Sequence, residues 1–123
     1  MNIVLSPYWL LGVGGWYLIS GVLHDFFVIK NHKGPYNRDL LRLLMDGHVL
    51  ILSGLILFIC FSMVSNKIPY GALISSILAI AMLVYCGMIY PFLKSYFTMF
   101  LSLMVIIVSI RAWLVIQNTT EII

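Results

Sequence analysis

The sequence predicts an all-α integral membrane protein, a bundle of four transmembrane helices made of two consecutive helical hairpins. Three observations carry that prediction. Hydrophobic residues make up 63% of the 123 residues and charged residues only 9%, where soluble domains carry about 25% charged residues. Mean hydropathy is +1.09. The apolar residues also fall into four runs, each near the roughly 20 residues that a helix needs to cross the hydrocarbon layer, separated by short polar or Pro/Gly breaks. The spans account for the chain, so a single transmembrane domain over residues 1–123 is expected.

Pro7, Tyr8 and Trp9 open the first span. Proline is tolerated in a first helical turn, and Tyr and Trp favour the membrane interface. This span covers about residues 8–29. It lacks a basic leader and a small-residue cleavage site, so it is expected to be retained and not removed as a signal peptide. The second apolar run covers residues 43–64, on a helix that begins earlier with Asn37 as its cap. It stops at "SNKIPYG", a turn set by Pro69 and Gly71. The third span covers residues 70–90 and ends at Pro91, which has no N–H to donate and clashes with the preceding turn. The fourth covers residues 92–116, and "QNTTEII" reads as a polar tail. One helix through Pro91 would be about 70 Å long, more than twice the hydrocarbon thickness. The two hairpins show no residue-level repeat.

The net charge is +3, with four of the seven Lys and Arg residues in the loop over residues 30–42: Lys30, Lys33, Arg38 and Arg42. Lys94 adds to the same side, while Lys67 and Arg111 belong to the other. A basic loop beside apolar spans marks the cytoplasmic side, so both termini are expected outside, in a bacterial inner membrane. The aromatic residues lie in the spans and do not alternate with a basic face, which excludes nucleic acid as a partner. Expected partners are the lipid bilayer, further copies of the chain and other membrane subunits.

Inside lipid, close helix packing depends on small residues that let backbones approach. Gly14 and Gly21 are a heptad apart in span one, as are Gly47 and Gly54 in span two, which predicts contact between these helices. Gly71, Ala72, Ser75, Ser76 and Ala79 predict a second close contact near the start of span three. Cys60 and Cys86 should differ in depth by about 15–20 Å, beyond disulfide reach, and read as buried thiols.

The stretch "GVLHDFFVIKNHKGPYNRDLLRLLMDGH" brings His24 and Asp25 near the cytoplasmic end of span one to the depth of Asp46 and His48 on span two. Tyr85, Tyr90 and Tyr96 lie toward the same face. Ionisable groups within a span mark a functional site by default. His24 and His48 are expected to face one another, forming with Asp25, Asp46 and a span-three tyrosine a polar ligand pocket. His48 is about 200° around the helix from Asp46, so only one of them can face the bundle centre. Leu41, Leu44, Ile51 and Leu55 share the side of His48. That points His48 inward and leaves Asp46 in an ion-pair ladder with Asp39 and Arg42, at i, i+3 and i+7. Asp25 is expected to reach toward Lys30 or the other loop cations, and Arg111 to snorkel to the surface.

Paired imidazoles at one depth are the ligand set of a b-type haem, and His24 and His48 are also the candidate ligands of a metal ion. The carboxylates and imidazoles equally suit proton relay or a polar headgroup. No nucleophile with an adjacent base, phosphate-binding glycine loop or CxxC pair is present, so no catalytic residue is assigned. In length and span count the chain resembles small multidrug transporters and DoxX-like proteins. The transporters' acid deep in the first span has no counterpart, since Asp25 lies near that span's end, and no functional residue carries over. The expected function is a small binding or accessory subunit of a membrane complex, with a proton-coupled transporter as the competing class.

Overall fold

The computed structural model describes residues 6–91 and 95–121, and nearly all of them are helical. The helices are α1 (Tyr8–Asn31), α2 (Arg38–Ser65), α3 (Pro69–Ile89) and α4 (Tyr96–Glu121). All four are long and apolar enough to cross a membrane, and the chain is a small four-helix integral membrane protein. Each helix packs on its sequence neighbour, and α1 meets α4 to close the bundle.

Local sequence sets the ends. Ser6 Oγ accepts from the Tyr8 N–H at 3.3 Å ahead of α1. The Asn37 side chain caps α2, accepting from Leu40 N at 2.9 Å, so this helix starts before the apolar run and carries Asp39 in its first turn, where the dipole favours an acid. Pro69 occupies the first turn of α3. Two ends differ from expectation. α4 continues through Glu121, so most of the expected polar tail is helical. Thr119 and Thr120 bond back to the Val115 and Ile116 carbonyls, which keeps their hydroxyls inside the helical hydrogen-bond pattern. Phe92 and Lys94, expected at the start of span four and in its loop, lie outside the described residues.

The contact between α1 and α2 runs through glycine. A Cβ on Gly21 would come 2.5 Å from the Gly47 carbonyl oxygen, and a Cβ on Gly54 equally close to that of Gly14. The two heptad-spaced pairs therefore meet in antiparallel register, Gly14 beside Gly54 and Gly21 beside Gly47, with backbone lying on backbone. Gly71 does the same for the start of α3, where a Cβ would lie 2.6 Å from that of Met63. Ala72, Ser75 and Ala79 follow on the buried face, with Ser76 half-buried beside them.

Elsewhere the helices are pinned by polar pairs. Tyr17 bonds to Ser102 between α1 and α4, Ser75 to Ser109 at 2.6 Å between α3 and α4, and Ser53 donates to Met82 Sδ at 3.3 Å between α2 and α3. Many large apolar side chains cover the outside: Ile19, Phe26, Leu52, Ile59, Ile77 and Phe100 are all more than half exposed. Lipid solvates such residues as well as a protein interior does, and the inside combines the small and polar side chains with a compact apolar core of Leu10, Val13, Tyr17, Leu57, Met82 and Val105. Cys60 and Cys86 are free and buried.

Candidate functional site

Near the loop that joins α1 and α2, the bundle opens into a cavity of about 510 Å³ reached by all four helices. Its polar lining is Ser20 and His24 from α1, Asp46 from α2, Tyr85 from α3, Thr98 from α4, and Ser95 just before α4; Leu50 and Ile89 are among its apolar walls. Ser20 and His24 share a face because they are one turn apart. Asp46 accepts a 2.7 Å hydrogen bond from the Tyr85 hydroxyl. That single bond engages a small part of a carboxylate's acceptor capacity. No Lys or Arg nitrogen lies within 4 Å of Asp46 among the described residues. Two more polar atoms on residues lining the cavity, His24 Nδ1 and Ser95 Oγ, are buried without a hydrogen-bond partner.

Behind this wall is a second group. Asp25 is buried between the first two helices, and its Oδ2 lies 2.9 Å from His48 Nδ1. The same nitrogen lies 2.9 Å from the Leu44 carbonyl. Both neighbours are acceptors, which favours the proton on Nδ1, between the Leu44 carbonyl and the Asp25 carboxylate. His24 Nδ1 approaches the other oxygen, Oδ1, at 3.6 Å, too long for a hydrogen bond. Gly47 makes this arrangement fit, because a Cβ there would run into the Asp25 carboxylate.

The structure thus gathers His24, Asp25, Asp46, His48 and Tyr85 at one end of the bundle but divides them differently from the sequence reading. His48 does not face the bundle centre. Its side chain is 65% exposed, and Asp46 is the residue that turns inward to Tyr85. Leu41 and Leu55, which share the side of His48, are exposed too, so their stripe is a lipid face. The ladder of Asp39, Arg42 and Asp46 does not form, since no carboxylate lies within 4 Å of Arg42 among the described residues. Asp25 turns to the two imidazoles and not to Lys30. Tyr90 is not part of the cavity; it is exposed and bonds to Tyr96 at the end of the hairpin. Ser20, Ser95 and Thr98 were missed. For Ser20 the one-turn spacing from His24 was an available signal; for Ser95 and Thr98 there was none.

The geometry does not fit a bis-histidine haem. The two rings converge on one carboxylate instead of facing each other across an apolar slot, and the Gly21–Gly47 contact leaves no gap there for a porphyrin. Among the described residues, no group of three His, Cys, Asp or Glu side chains is placed to hold a metal ion. Compared with protein-family models, curated proteins and solved structures, the chain matches none. What can be read is therefore the site's own chemistry: a carboxylate with one donor, set in a mainly apolar cavity.

Proposed function

We propose that this protein is a small ligand-binding subunit of the membrane. It holds one amphipathic molecule in the cavity, with an amine or comparable donor group on Asp46 and an apolar body among Leu50, Ile89 and their neighbours. It works as such within a homo-oligomer or a larger membrane complex, with the α1–α2 loop in the cytoplasm and both termini outside. The supporting observation is the Asp46 carboxylate, which faces a cavity of about 510 Å³ with only the Tyr85 hydroxyl to satisfy it. A carboxylate at membrane depth costs a few kcal/mol unless it is paired or wet, and a donor-bearing ligand removes that cost.

Thermal unfolding in detergent with hexylamine, against hexanol as the uncharged control, tests this reading. The amine should raise the unfolding temperature and hexanol should not, with the difference lost in Asp46→Asn. Equal effects of the two compounds on the wild type would refute a carboxylate-centred site.

A proton-coupled transporter is the second reading, favoured by one feature. His24 and Leu43 line both the cavity and an open groove beside the α1–α2 loop, which gives the cavity a neighbour on the loop side. Substrate-dependent proton movement in proteoliposomes, lost in Asp25→Asn or Asp46→Asn, would support transport over simple binding.

A further inference from the structure

At the opposite end of the bundle, Lys67 and Arg111 flank a groove of about 360 Å³ whose other walls include Tyr8, Phe61, Val64 and Ile116. We propose that this groove binds a single anionic phospholipid, with the phosphate between the two cations and the start of an acyl chain along the apolar wall. The site is separate from the Asp46 cavity and does not depend on how that cavity is used.

Arg111 is half-buried within an apolar stretch of α4, and no carboxylate lies within 4 Å of it among the described residues. On its own helix the nearest acid is Glu121, ten residues further on, or about 15 Å along the axis. A guanidinium at the membrane margin without a protein anion is best satisfied by a phosphate, whose oxygens match its forked donors.

The backbone at Lys67 is the second observation. It ends α2 with φ at 59°, the left-handed region, and is the one non-glycine residue with positive φ among the described residues. The turn is fixed by Lys67 N to the Val64 carbonyl at 3.0 Å and Ile68 N to the Met63 carbonyl at 2.9 Å. Glycine is the ordinary residue at such a helix end. The lysine that stands there places an ammonium beside the groove that Arg111 enters from α4. The remaining wall is apolar, as an acyl chain requires, so the cations and the wall together describe a lipid and not a soluble anion.

Native mass spectrometry after reconstitution in equal parts phosphatidylglycerol and phosphatidylcholine tests the site. The wild type should retain one phosphatidylglycerol, preferred about tenfold or more over phosphatidylcholine, as expected for two interfacial cations. The preference should vanish in Lys67→Ala/Arg111→Ala and persist in Lys30→Ala/Lys33→Ala, which alters only the basic loop. If the double variant fails to fold, Arg111→Gln, which keeps most of the side-chain bulk, reads the same loss. Undiminished preference in the folded groove variant, or equal loss in the loop variant, would overturn the proposal. So would displacement of the lipid by millimolar inorganic phosphate, the mark of a small-anion site.

Discussion

Replacing Gly47 by alanine sets helix propensity against sterics in a way the structure makes quantitative. A Cβ there would run into the Asp25 carboxylate and stop 2.8 Å from the Gly21 carbonyl oxygen, about 0.6 Å inside the 3.4 Å at which ordinary contact begins. The backbones cannot simply part, because Gly14 and Gly54 are in contact two turns away. If Asp25 swings aside, it gives up its bond to His48. Overpacking costs about 1–3 kcal/mol and a hydrogen bond to a charged group about 1.5–3 kcal/mol, while alanine returns about 1 kcal/mol of helix propensity. The expected net loss is therefore about 1.5–5 kcal/mol. Gly12→Ala is the control: the same chemical change on the outer face of α1 meets nothing within 4 Å and should be neutral or slightly stabilising. Unfolding of both variants in mixed micelles by increasing SDS, followed by tryptophan fluorescence, measures the difference. Equal stability of Gly47→Ala and Gly12→Ala would refute the close glycine packing and the fitted position of Asp25.

Two further outcomes are expected. Tyr85→Phe should destabilise the bundle by about 1–3 kcal/mol by leaving Asp46 without its donor, and a double-mutant cycle with Asp46→Asn should show the two effects to be coupled; strict additivity would separate the residues. A cysteine introduced at Lys33 should react with a membrane-impermeant maleimide only from the cytoplasmic side, and since Cys60 and Cys86 are buried, the native thiols should add little background. Labelling from outside intact cells would reverse the proposed topology.

The spans were legible because lipid imposes one demand on every crossing helix, a long apolar run, and Asn37, Pro69 and Pro91 mark boundaries by local chemistry that no packing alters. The glycine spacing was legible for a similar reason: only small residues admit backbone contact. Which way α2 faces was not. The reading that turned His48 inward followed Leu41, Leu44, Ile51 and Leu55, a sound guide in water, where apolar residues mark the core. In a bilayer the same stripe is rewarded on the outside, and the inner face of α2 mixes the small residues Gly47, Ser53, Gly54 and Cys60 with Leu40, Leu57 and Val64. Ser95 and Thr98 stayed hidden because they join the cavity only through the packing of α4 against the other helices.

The partners of the two intramembrane acids have different chain positions. Everything that accommodates Asp25 (His24, Gly47 and His48) is present once α2 has been made. Asp46 finds its donor only in Tyr85, on α3. During synthesis, then, the first hairpin can enter the bilayer with its more buried acid already accommodated, while Asp46 stays uncompensated until the second hairpin arrives. The burden of burying charge is divided in time, and the later acid gives the first hairpin a reason to capture the second.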